Sequence, residues 1–133
     1  MSILTTVSGS YPKIGDTVEE QKLRRTLHQL DKNEISEEDF ERVQQEVTKE
    51  VIQEQINAGL DIVADGRIQW DDALTYEAKK MIGFTLAGLI RYFDTNTFYR
   101  EPVVESRVEY RYPIVLDDYK FAASVSSKPV KAI

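Results

Sequence analysis

Few architectures accommodate residues 36–66, because an amphipathic helix there runs without a linker into an apolar strand and a sharp turn. Ser36 and Asp39 make a capping-box pair, and Ile35 ahead of the cap can staple onto Phe40. Phe40, Val43, Val47 and Val51 recur at helical spacing, and Ile52 and Ile56 widen that stripe. Glu41, Glu46, Lys49 and Glu50 form a solvated outer face. Gly59 supplies the left-handed position that ends such a helix. Leu60, Asp61, Ile62, Val63 and Ala64 follow at once as a strand, closed by the Asp65-Gly66 turn. A strand directly behind an amphipathic helix is the second half of a βαβ crossover, so a parallel strand must precede it.

Residues 3–7 are short and rich in β-branched side chains, and they read as that earlier, buried strand. The loop Ser8-Gly9-Ser10-Tyr11-Pro12 ends it. Backbone N–H groups freed in such a loop can hold an oxygen ligand, although the same residues also suit a plain turn. A right-handed connection opens residues 8–12 and 65–72 on one side, beyond the carboxyl ends of the strands, where α/β proteins bind ligands. Between the strands, Asp16 or Thr17 can cap a helix with Glu19 or Glu20 three residues on, and Leu23, Leu27 and Leu30 give its apolar stripe. His28, the single histidine, lies off that stripe and reads as a surface or packing residue.

Beyond the turn, Asp71 or Asp72 can cap a third helix carrying Leu74, Ala78, Met81 and Ile82 and stopped by Gly83. Trp70 reads as packing at the rim of the strands. Residues 84–112 then break the βα rhythm. Residues 84–86 and 89–93 are apolar, Asp94-Thr95-Asn96 signals a turn, and Val104, Ser106, Val108, Tyr110 and Tyr112 alternate with charged residues. That is an antiparallel β-hairpin inserted in a single domain spanning 1–133. Asp117 can cap a fourth helix through Tyr119, Phe121, Ala122 and Val125, and residues 130–133 begin a third parallel strand. Three parallel strands are too few to close a barrel and leave a sheet edge open, so the sequence reads as an interrupted α/β fold.

The formal charge of −6 argues against nucleic acid as a partner, since phosphate backbones require a basic footprint. No apolar run reaches the roughly 20 residues of a membrane span, and Met1-Ser2-Ile3-Leu4 has no signal-peptide character. A soluble, cytoplasmic protein is expected. With no cysteine in the chain, disulfides and thiolate metal sites are ruled out within it.

Taken in order, several segments resemble the cobalamin-independent methionine synthase family. Gly9-Ser10-Tyr11-Pro12 matches its Gly-Ser-aromatic-Pro loop, and Leu23-Arg24 its Leu-Arg pair. Gln55 matches a glutamine near the end of the long helix, and Gly59-Leu60-Asp61-Ile62-Val63 with Asp65-Gly66 matches the strand and turn. Tyr99-Arg100-Glu101-Pro102 and Ser127-Lys128-Pro129-Val130-Lys131 match later segments. The resemblance implies the N-terminal portion, about three βα units, of a TIM (β/α)8 barrel, and methyl transfer from a methylated folate or corrinoid protein to the thiol of homocysteine. It implies that Ser8, Gly9 and Ser10 hold the amino-acid carboxylate, that Asp72 orients substrate, and that Arg100 lies near the methyl donor. Arg67 stands where the family usually has an amine-binding glutamate, and its charge favours a carboxylate or phosphate instead. The family's zinc ligands lie in the later half of the barrel, so this chain is expected to hold no cofactor and to be inactive alone. Its expected partners are a homocysteine-like amino acid and either the C-terminal barrel half or a second copy. A non-catalytic module that binds a small anion, or a dimer of half-barrels, remains the alternative reading.

Overall fold

The computed structural model describes residues 3–12 and 15–133. Its helices are α1 (Lys22–Asp31), α2 (Glu37–Asn57), α3 (Thr75–Lys79) and α4 (Leu116–Val125), and its strands are β1 (Ile82–Arg91) and β2 (Phe98–Glu109). The chain divides into two compact units, one of residues 1–69 and 115–133 and the other of residues 70–114. None of the described helices is long and apolar enough to cross a membrane.

The first unit is built on α2. Ser36 accepts from the Asp39 N–H while the Asp39 carboxylate accepts from the Ser36 N–H, so the expected capping box forms. At the other end Gly59 adopts φ +81°, its N–H donates to Ile56, and the Leu60 N–H donates to Gln55. Those two bonds are a Schellman motif, and they fix the direction in which residues 60–64 leave the helix.

Two faces of α2 are buried. Val51 packs with Leu23 of α1 and Ile68, flanked by Tyr11, Phe40 and Val47. Ile52 packs with Val63 and Ala122 of α4, flanked by Ile56, Leu60, Val125 and Val130. The anticipated parallel segments pair in sequence order, through the bridges Thr6–Ile62 and Val63–Val130. They pair at single bridges rather than along full strands.

Asp61 secures the first of these pairings. Its Oδ2 accepts from the Thr5 N–H at 2.8 Å and from the Thr5 hydroxyl at 2.9 Å, and its own N–H donates to Thr5 O at 3.2 Å. These donors stabilise the carboxylate and lower its pKa. Gln55 secures the other end of the second segment. Its Oε1 accepts from the Ala64 N–H and its Nε2 donates to Ala64 O, both at 2.9 Å, with a further bond from Nε2 to Val51 O. The side-chain amide thus pairs with Ala64 as a neighbouring strand would.

Several expectations need correction. Residues 3–7 are not a buried strand: Ile3 is 88% exposed and Leu4 63%. Their bridge to a neighbouring segment is at Thr6, with Thr5 bonded to residues 61 and 62. Thr17 and Glu20 make both capping-box bonds, yet α1 begins at Lys22. The turn they close ends in an i−3 bond from Lys22 to Glu19, and the helix restarts there. Asp117 does not cap α4 by a side-chain bond. It lies in the first turn, where a carboxylate suits the helix dipole.

In the second unit α3 is short and leaves out Met81, and Ile82 belongs to β1. The antiparallel pair extends over 82–109 rather than 84–112, with register shifts beside Gly83 and after Leu86. Gly83 has φ +94°, and a Cβ there would fall 2.5 Å from the Arg107 carbonyl oxygen, so glycine is required at that bulge. Residues 110–112 lie beyond β2, which ends before Pro113.

Two outcomes follow. Gln55→Leu strands the buried Ala64 N–H and C=O, and denaturant unfolding should show a loss of about 2–6 kcal/mol, from roughly 1–3 kcal/mol per unsatisfied group. The lowered pKa of Asp61 means that its contribution is complete above the ordinary aspartate pKa of about 3.9 and fades as pH falls through the lower folded value. Asp61→Asn should therefore flatten the acid limb of a stability–pH curve below about pH 4.

Candidate functional site

The loops after the first and second parallel segments lie side by side, as the crossover topology requires. The Tyr11 N–H donates to Gly66 O at 2.9 Å and joins them directly. Gly9 is buried at the base of its loop, whereas Ser8 and Ser10 are exposed. Among the described residues no side-chain or backbone group bonds to either serine hydroxyl, so both can meet a ligand oxygen.

The second loop is a tight left-handed turn. Asp65 Oδ1 accepts from the Arg67 N–H at 3.1 Å. Gly66 and Arg67 follow with φ +69° and +52°. Gly66 has no substitute: a Cβ would lie 2.9 Å from Tyr11 Cβ and 3.0 Å from Val51 Cγ1. Arg67 is less suited to positive φ, a conformation that costs roughly 1–3 kcal/mol where a side chain is present. It is half-buried, and its Nε is shielded from solvent.

A third segment reaches the same end. The Lys131 N–H donates to Val63 O at 2.8 Å, while Lys131 Nζ crosses to donate to Val7 O. Asp65, Lys131 and Ile133 line a small hollow against Tyr119 and Ala122 of α4. Beneath the turn, Tyr11 hydrogen-bonds Glu54, and burial together with that carboxylate raises the phenol's pKa. Sequence pattern gives no role to Lys131, Glu54 or Gln55. Lys131 and Gln55 stood only as positions in a resemblance, and nothing in the local pattern marks a bond across 124 residues.

Asp72 and Arg100 belong to the second unit. The Asp72 carboxylate accepts from the Leu74 N–H at 2.8 Å, the Thr75 N–H at 2.7 Å and the Thr75 hydroxyl. It caps the turn leading into α3, so most of its acceptor capacity is engaged. Asp71 instead pairs with Lys79. Arg100 is exposed on β2, and its carbonyl accepts from Thr75 Oγ1 at 3.2 Å. Trp70 stacks on Tyr76 at 4.9 Å between centroids, and both rings are buried.

A resident metal does not fit this chain's own donors. His28 is exposed, the sequence contains no cysteine, and among the described residues no three His, Cys, Asp or Glu side chains converge.

Residues 3–133 match the family model described as cobalamin-independent synthase, catalytic domain. The chain is 34% identical to a methionine synthase of Saccharolobus solfataricus over 122 residues, 92% of this chain and 35% of that protein. It is also 34% identical to a methionine synthase of Sulfurisphaera tokodaii, covering 34% of it. The chain thus spans about a third of the length of these relatives. A solved structure of a B12-independent methionine synthase from Shewanella sp. W3-18-1, in complex with selenomethionine, superposes with a TM-score of 0.66 at 19% identity. That alignment covers 95% of this chain and 36% of the other, and it is a likeness of fold.

Gly66→Ala should cost about 2–4 kcal/mol by thermal or denaturant unfolding, because it combines an unfavourable positive φ with two close contacts.

Proposed function

Since the chain belongs to the cobalamin-independent synthase catalytic-domain family, we propose that it supplies the amino-acid-binding third of a methyltransferase that converts homocysteine to methionine. The observation that carries this reading is the Tyr11–Gly66 bond, which sets the exposed Ser8 and Ser10 beside the Asp65–Arg67 turn. In this reading the three parallel segments are the first staves of a (β/α)8 barrel, residues 1–133 form one partial-barrel domain, and the antiparallel pair is an insertion in it.

The chain's role is binding and orientation. Ser8, Ser10 and the backbone at Gly9 hold the substrate carboxylate, and Arg67 adds a charge of the matching sign. Asp65 accepts the Arg67 N–H through one carboxylate oxygen, and in this reading its negative charge serves the substrate ammonium. Asp72 holds the start of α3 and so acts on substrate indirectly, while Arg100 is the contact toward the methyl donor. Zinc, held by ligands in the remaining two-thirds of the fold, would supply a thiolate at neutral pH by lowering the thiol's pKa. In the completed fold the methyl group of a methylated folate or corrinoid protein would pass to the homocysteine sulfur, the donor keeping the electron pair of the broken bond.

In this reading the partner is the remainder of the barrel, whether it lies on another polypeptide or on a longer form of this chain. The exposed Ile3 and Leu4 favour the first segment as one docking edge. A second copy pairing at the same edge is the competing outcome.

Mixing this chain with the remaining two-thirds of the S. solfataricus relative should yield a complex that forms methionine from homocysteine, with neither part active alone. Failure of the parts to associate, with this chain self-pairing in light scattering, would contradict the proposal. In the active complex, Arg67→Gln should raise KM for the amino acid by about tenfold (about 1.4 kcal/mol) with little change in kcat.

A further inference from the structure

Helix α1 carries a feature the methyltransferase reading does not use. Arg24, Arg25, His28 and Lys32 are all exposed, and they line an open hollow of about 490 Å³ with Gln21, Gln29 and Glu34. The wall beyond Lys32 is fixed. Asn33 takes φ +57°, its N–H donates to Leu30 O, and the Glu34 N–H donates to Gln29 O. This second Schellman turn folds the chain back beside the helix.

The charge there runs against its surroundings. The chain is acidic overall, at −6, yet three permanent cations meet a single carboxylate in this hollow. No carboxylate among the described residues forms an ion pair with Arg24, Arg25 or Lys32. Lys22, one turn away, shows the contrast, being tied to Glu46. Helix-dipole compensation accounts for His28 and Lys32 near the C-terminal end, but not for Arg24 and Arg25. They occupy a first turn that contains no acidic residue, where the dipole disfavours cations.

We propose that this face of α1 is a binding site for a small multivalent oxyanion, bearing two or more phosphate or carboxylate groups. Arg24 to Lys32 spans about 12 Å at 1.5 Å per residue, which suits several anionic groups in a row. The guanidinium forks of Arg24 and Arg25 match either group bidentately, and Gln21 and Gln29 add neutral donors. A small ligand fits better than a nucleic acid. Fields from exposed charges fade over about 8–10 Å in physiological salt, so a compact anion in the hollow senses the local cations, whereas a long polyanion also meets the acidic remainder.

The test is calorimetric titration of the whole chain with tripolyphosphate and, separately, with citrate, which distinguishes phosphate from carboxylate chemistry. Saturable binding of at least one probe is expected below about 1 mM. The double variant Arg24→Gln/Arg25→Gln keeps helix propensity and should weaken binding by about tenfold or more. Lys32→Gln should weaken it independently, and Lys120→Gln on α4 should leave it unchanged. No saturable binding of either probe would overturn the proposal. So would equal affinity in the double variant, or equal weakening by Lys120→Gln.

Discussion

The amide of Gln55 is the interaction on which the first unit most depends. It is 1% exposed, and it satisfies both backbone groups of Ala64 while it is itself held to Val51 O. Ala64 is fully buried, and here its N–H and C=O are matched by a side chain of the helix just traversed. A polar residue at this point of the apolar face is therefore part of the pairing. It couples α2, fixed at both ends by local caps, to the last residue before the turn.

That coupling explains how a strained turn persists. Asp65, Gly66 and Arg67 follow directly on Ala64, which cannot shift without breaking two buried hydrogen bonds. Tyr11 closes on Gly66 from the other loop, and Val51 lies too near for any side chain at residue 66. The positive φ of Arg67 is thus over-determined by its neighbours, the circumstance in which backbone strain survives. Asp61 and Lys131 do comparable work at the edges, pinning residues 5 and 7 to the middle segment and to the third.

The parts of this architecture legible in the sequence are those set by short-range bonds. The Ser36–Asp39 box and the glycine exit of α2 follow from residues a few positions apart, and the order of the parallel segments follows from the crossover that the long helix imposes. The same rule misplaced the start of α1. Thr17 and Glu20 form their reciprocal bonds, but these close an isolated turn. The sequence suits Asp72 to a cap or a substrate contact, and its carboxylate is engaged by Leu74 and Thr75. The Gln55–Ala64 pairing, the Lys131–Val7 bond and the left-handed Arg67 depend on tertiary approach, which periodicity does not encode. The exposure of Ile3 and Leu4 escaped for a related reason: β-branched composition signals a strand, while burial depends on what covers it.

The central claim is that loops 8–12 and 65–69 form the amino-acid end of a methyltransferase site. The most direct measurement is a crystal structure of the completed barrel with methionine bound. The account predicts the methionine carboxylate within hydrogen-bond distance of Ser10 or the residue 8–10 backbone, with the Arg67 guanidinium on that carboxylate rather than beside the ammonium. Methionine bound away from both loops, or its ammonium seated at Arg67, would contradict it.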